Sequence, residues 1–190
     1  MNRDEGITIE CGNEIYAPAE DSLLLLDSVE AAPGERILEI GCGSGIIALH
    51  CAKSGAEVVA VDIDSDAVEC ARLNALRNNI VLEIFQSDLL SEVEGDFDMI
   101  LFNPPYLPSD EISDPKWSGG RSGIETTMEF LMQAREHLKD DGRILIVCSS
   151  LSDMDSLMKY SASLGYECDK ISSKRFFFEE IFVLWIIITP

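Results

Sequence analysis

Nothing in this chain is long and apolar enough to cross a bilayer. No run approaches the ~18 residues a spanning helix needs, and the longest candidate, Ile181 to Ile188, reads as a buried strand. The N-terminus, Met1-Asn2-Arg3-Asp4-Glu5, lacks a basic stretch followed by an apolar one, so no secretory leader is expected and a cytoplasmic location is. Paired cysteines are missing too. Cys11, Cys42, Cys51, Cys70, Cys148 and Cys168 are scattered, with no C-x-x-C spacing. That argues against a metal site and a disulfide framework, and leaves most of them as small buried hydrophobes. Basic residues are scarce: 14 Lys plus Arg stand against 35 Asp plus Glu, a formal net charge of −21. A field of that sign repels phosphate backbones, so extended nucleic-acid contact is disfavoured and no membrane association is expected. Basic partners would be attracted, although the same surplus suits solubility in a salt-rich cytoplasm. Internal repeats, low-complexity tracts and linkers are also absent. The 190 residues therefore read as one domain, residues 1–190, with 1–15 as an N-terminal extension.

What is present is alternation of strand and helix. Arg36–Ile40, Glu57–Val61, Val81–Phe85, Phe97–Phe102 and Arg143–Val147 are short apolar runs predicted as strands. Helices are predicted over Leu23–Leu26, Ile46–Lys53, Asp66–Asn78, about Glu125 to Leu138, and Ser152–Leu164. Ser65 is the expected cap of the third, whose apolar face takes in Val68, Ala71, Leu73 and Ala75. This order predicts an α/β fold with a mostly parallel sheet and helices on both faces. Tyr166–Ser172 and Ile181–Thr189 follow with only about eight residues between them. A parallel crossover needs more, so this last pair should be antiparallel.

Leu38-Glu39-Ile40-Gly41-Cys42-Gly43-Ser44-Gly45 joins the first strand to a helix. The dinucleotide fingerprint G-x-G-x-x-G fails here, because Ile46 stands where its third glycine belongs. Gly41, Gly43 and Gly45 give G-x-G-x-G instead, with Glu39 two residues ahead. A carboxylate there would repel a diphosphate and suit a ligand's amine. Asp62 closes the next strand, about 20 residues on, where an acid can accept both ribose hydroxyls; Ile63 beside it is a further contact. Asp88 closes the third strand and can accept from an adenine amino group, with Leu89 offering backbone and apolar contact. One amine, one ribose diol, one adenine and no phosphate are the requirements of S-adenosylmethionine, the expected cofactor, with S-adenosylhomocysteine as product.

Asn103-Pro104-Pro105-Tyr106 follows the fourth strand at once, beside the crevice where open α/β sheets bind ligands. Two prolines fix φ and remove two donors, leaving carbonyls set to accept. The Asn103 side-chain oxygen and the Pro104 carbonyl can together accept both hydrogens of one NH2 group. Tyr106 can stack on the flat group so held. The expected chemistry is methyl transfer to a planar nitrogen, needing alignment more than a strong base. His50 and His137 fall on predicted helices and read as surface or packing residues.

With these motifs in place the chain resembles the HemK-type protein glutamine N5-methyltransferases. Tyr16-Ala17-Pro18-Ala19-Glu20-Asp21-Ser22 looks like the leading segment of the family's short archaeal and eukaryotic branch, and Trp117-Ser118-Gly119-Gly120-Arg121-Ser122-Gly123 like its loop after Asn-Pro-Pro-Tyr. The resemblance implies a Rossmann-like class I methyltransferase domain with a seven-stranded, mostly parallel sheet and an antiparallel C-terminal strand. It implies that Ser22 contacts the cofactor. It further implies methylation of the glutamine in the Gly-Gly-Gln motif of a class I release factor, with a small zinc-binding activator protein as partner, set here against apolar final strands. Other acceptors share the Asn-Pro-Pro-Tyr grip: N6 of adenine or N2 of guanine in nucleic acid, or lysine in the eukaryotic members. Arg121, Lys174 and Arg175 are the nearby basic residues a polyanion could use. A non-enzymatic cofactor-binding scaffold would not need Asn103.

Overall fold

Three buried runs form the middle of the sheet. In the computed structural model, which describes residues 3–12, 15–108 and 120–189, β1 (Arg36–Ile40) pairs in parallel with β2 (Glu57–Asp62) and β4 (Phe97–Phe102). β3 (Glu83–Gln86) extends the sheet beyond β2, and β5 (Leu138–Ser149) lies beyond β4, both parallel. β7 (Glu180–Ile188) then runs antiparallel between β5 and β6 (Tyr166–Arg175). The seven-stranded order is β3-β2-β1-β4-β5-β7-β6. The expected fold class is borne out, with β7 as the one antiparallel member.

Successive side chains of a strand point to opposite faces, and the core divides accordingly. Leu38 and Ile40 of β1 pack with Phe130 and Leu131 of α4 (Glu125–Ala134) and Leu157 of α5 (Met154–Ser163). Ile37 packs on the other face with α1 (Glu20–Ser28), α2 (Ile46–Lys53) and α3 (Ser65–Asn78). Each fully buried Leu, Ile or Phe contributes about 1.5–3 kcal/mol relative to exposure, so the sheet is held from both sides.

Several expectations about local structure change. Asp64 caps α3, not Ser65: it is extended and its side chain accepts from Asp66 N at 3.0 Å. Leu73 is 42% exposed, and the buried position next to it belongs to Asn74. Asn74 Nδ2 donates to the carbonyls of Ser44 (3.0 Å) and Glu10 (3.1 Å), tying the glycine loop and the N-terminal residues to α3. Val81 is exposed, and the strand begins at Glu83. α4 stops at Ala134, because Leu138 already pairs with Phe97 as the first residue of β5. Finally, only β7 of the last two strands is apolar and interior; β6 is largely exposed and polar. Phe182, Leu184 and Ile186 pack on the α4–α5 face and Val183 on the α1–α3 face, so most of the apolar surface assigned to a partner from the sequence is already buried.

Candidate functional site

A cavity of about 470 Å³ opens at the carboxyl ends of β1, β2 and β4. Ser22, Glu39, Gly41, Gly43, Asp62, Ile63, Asp88, Leu89, Asn103, Pro104 and Tyr106 all line it. The structure thus brings these sequence-chosen residues together around one space. Gly45 stands behind the wall. It caps α2 at φ +78, and a Cβ there would meet the Ala71 Cβ at 3.1 Å, so this glycine packs the loop onto α3. Of the loop from Trp117 to Gly123, residues 117–119 lie outside the described residues.

The wall is acidic. Asp21, Glu39, Asp62, Asp64, Asp88 and Glu129 line the cavity, and no Lys, Arg or His does so among the described residues. Such a lining favours a cationic ligand and penalises a phosphorylated one. That fits a cofactor carrying an ammonium and a sulfonium and no phosphate.

Glu39 is 4% exposed, and one oxygen accepts from Ala48 N at the start of α2 at 2.7 Å. Burial pushes its pKa up to about 8, with the Asp62 charge adding to the rise against the stabilising Ala48 N–H. Asp62 accepts from Gly43 N and Asp64 N, each at 2.9 Å, through different oxygens. Those two backbone donors fix the carboxylate at the carboxyl end of β2, facing the cavity. Leu89 adopts φ +49, a region a bulky side chain rarely enters. The buried Ser87 holds it there: its Oγ donates to the Leu89 carbonyl at 2.9 Å and accepts from Glu92 N at 3.2 Å.

The acceptor end of the cavity is organised by Asp21, which the sequence reading passed over beside Ser22. Asp21 is 6% exposed. Its carboxylate accepts from the hydroxyls of Tyr16 and Tyr106 and from Asn103 Nδ2, all at 3.1 Å, and from Ser22 N at 2.7 Å. A carboxylate only accepts, so the NH2 end of Asn103 must face it and Oδ1 must face away. That Oδ1 is buried and has no hydrogen-bond partner among the described residues. Burial first, and then the Asp21 charge, raise the Tyr106 phenol well above its ordinary value, so it stays a neutral donor. The Tyr106 ring lines the cavity while its hydroxyl is anchored. The Tyr106 carbonyl in turn accepts from Ser152 Oγ at 2.6 Å. Gly123, at φ +73, packs so closely that a Cβ would lie 2.4 Å from that same carbonyl.

The two histidines lie apart from this site. His50 is buried on α2 with Nδ1 on the Ile46 carbonyl, and His137 follows α4 with Nδ1 on the Gly95 carbonyl. The described residues include no cluster of His, Cys, Asp and Glu able to hold a metal ion, and no helix long and apolar enough to cross a membrane.

Comparisons with known proteins identify a family. Residues 19–171 match the methyltransferase small domain family. A chain designated a protein N5-glutamine methyltransferase in Methanocaldococcus jannaschii is 39% identical over 189 residues, which is 95% of each chain. Methyltransferase HEMK2 of Mus musculus is 31% identical over 172 residues, 81% of this chain and 80% of that one. Among solved structures, the E. cuniculi Mtq2–Trm112 complex, responsible for methylation of the eRF1 translation termination factor, shares the fold. Its TM-score is 0.76 at 22% identity, covering 92% of this chain and 99% of that chain.

Proposed function

We propose a substrate from one premise: this chain belongs to the methyltransferase small domain family and is a HemK-type, S-adenosylmethionine-dependent methyltransferase. The acceptor is the side-chain amide nitrogen of glutamine, in the Gly-Gly-Gln motif of a class I translation release factor. The observation that carries this reading is the Asn103 amide, fixed by Asp21 through Nδ2 and left with an unpartnered Oδ1.

S-adenosylmethionine, when bound, supplies an electrophilic methyl carbon. Glu39, Asp62 and Asp88, with the backbone of Gly41 and Gly43 and the apolar Ile63 and Leu89, are the residues that would hold it, and Ser22 closes the wall beside Asp21. Asn103 Oδ1 and the Pro104 carbonyl accept the two hydrogens of the glutamine NH2. Among the described residues no donor reaches the Pro104 carbonyl either. Two acceptors on one NH2 hold the amide in plane and enrich its nitrogen in electron density. Tyr106 packs against the amide. The new N–C bond would form as the methyl's bond to sulfur breaks, S-adenosylhomocysteine would leave as the neutral thioether, and one amide proton would pass to solvent.

Other acceptors fit the site less well. A lysine ammonium in this acidic cavity would be held protonated and without a free electron pair. A nucleic-acid base would bring phosphates to a chain of net charge −21. Lys174 pairs with Glu20, and Arg175 lies 3.8 Å from Glu180, so two of the three nearby cations are already engaged.

A small zinc-binding activator is the proposed partner, and the cytoplasm the proposed location. The Mtq2–Trm112 complex supports a small partner protein. Leu73, Leu76 and Val81 are exposed beside the free edge of β3 and offer such a partner an apolar face. The test is to incubate the protein with labelled S-adenosylmethionine and the release factor, then map the modified residue by mass spectrometry. Label on the Gly-Gly-Gln glutamine is expected; label on no glutamine overturns the reading.

A further inference from the structure

Residues 176–179 turn the chain from β6 into β7, and their chemistry is wrong for a turn. Turns favour Gly, Asn, Asp, Ser and Pro; this one opens Phe176-Phe177-Phe178 and closes with Phe176 N donating to the Glu179 carbonyl at 2.7 Å. Phe177 is 91% exposed and Phe178 83%. Their rings meet edge to face, with centroids 4.6 Å apart and an interplanar angle of 86°. Neither ring belongs to the core on either face of the sheet. Folding makes no use of them, and contiguous exposed aromatics mark interaction sites.

The turn is anchored near Tyr106, which lines the cavity, close enough for the Glu179 charge to act on the Tyr106 phenol. Ser149 Oγ donates to Glu179 at 2.7 Å, and Ser150 N to the Glu180 carbonyl at 2.9 Å, fixing it to the carboxyl end of β5. A few residues on, Ser152 holds the Tyr106 carbonyl. From the other side, Lys174 pairs with Glu20, next to Asp21. The two phenylalanines therefore stand beside the end of the cavity where the acceptor amide belongs.

We propose that Phe177 and Phe178 are the docking point for the protein substrate. They receive an apolar patch on the folded body that carries the acceptor, while the glutamine reaches Asn103 from an extended loop. This rests on the glutamine reading above. A single glutamine side chain offers few contacts, so affinity must come from surface remote from the reacting nitrogen. Charge favours a protein with basic residues around that patch. The chain carries −21, and the hairpin's own cations are paired, Lys170 and Arg175 with Glu180 and Lys174 with Glu20. The same pairing argues against nucleic acid, as does the edge-to-face ring pair, which is not a flat stacking platform.

The test is the double variant Phe177→Ser/Phe178→Ser, assayed on the intact release factor. Both rings are exposed, so the melting temperature and S-adenosylhomocysteine affinity should match wild type. The expected result is a rise in KM for the factor of about tenfold or more, with kcat at saturation within about twofold. An unchanged KM overturns the docking point alone, and so does a fall confined to kcat. A wild-type protein that labels no glutamine in the factor is a different failure, and overturns the glutamine reading and this inference together. Transfer to RNA that falls in the variant would reassign the tip to nucleic acid.

Discussion

Asn103 and Asp21 stand 82 residues apart in sequence and join through one hydrogen bond, Nδ2 to Oδ2 at 3.1 Å. That bond decides which end of the Asn103 amide is free. Because the carboxylate has no donor to offer, the oxygen is left for the substrate. A side chain that looks like an ordinary residue of a helix's first turn thereby sets the polarity of the acceptor site.

Asp21→Asn should lower kcat by at least about tenfold, because the amide it supplies can present a donor as readily as an acceptor and no longer fixes Asn103. Binding of S-adenosylhomocysteine should change far less. Single-turnover transfer and equilibrium binding, measured on the same preparation, separate the two. A variant with wild-type kcat would show that Asn103 needs no such anchor.

Removing the acceptor itself should cost more. Asn103→Ala is expected to lose about 10²–10³ in kcat, the scale of deleting one well-placed polar group at a reacting centre, while retaining cofactor affinity. Transfer at the wild-type rate would refute the role given to this side chain.

Glu39 makes a prediction about pH. Its pKa near 8 lies above the ordinary carboxylate value, so between the two the folded chain holds a proton that the unfolded chain has released. The ligand-free protein therefore loses stability as pH rises through that window. An ammonium beside Glu39 favours its ionised form, so cofactor binding should expel a proton and tighten up to about pH 8. Calorimetry in buffers of differing ionisation enthalpy reads that proton directly. Glu39→Gln should abolish its release and flatten the stability curve; proton release that persists in the variant would point to another group.

Gly123→Ala should disturb the acceptor site from below. The new Cβ meets the Tyr106 carbonyl at 2.4 Å, and the backbone sits at φ +73. Strain of about 1–3 kcal/mol is expected, seen as a lower melting temperature together with a reduced kcat. A stable, fully active variant would mean that the Tyr106 segment has room to shift.

Much of this was legible in the sequence because it is local. The strand β1 and its glycine loop are one continuous pattern, and Glu39, Asp62 and Asp88 fall at strand ends that the apolar runs themselves mark. The antiparallel character of β7 followed from the short connection before it. Its place between β5 and β6 did not, since strand order depends on which faces bury together. Leu73 and Asn74 show another limit. Periodicity assigned the leucine to the core, yet the amide is buried because the Ser44 and Glu10 carbonyls satisfy it. Asp21 was hidden for the same reason: two of its four donors, Asn103 and Tyr106, lie 82 and 85 residues further along the chain.

The most direct measurement is a crystal structure with S-adenosylhomocysteine and a peptide carrying the Gly-Gly-Gln sequence. The expected result places the glutamine Nε2 about 3 Å from Asn103 Oδ1, with Nδ2 still on Asp21 and the product's amine beside Glu39. An Asn103 amide turned so that Nδ2 meets the peptide, or a glutamine bound away from Asn103 and Pro104, would contradict it.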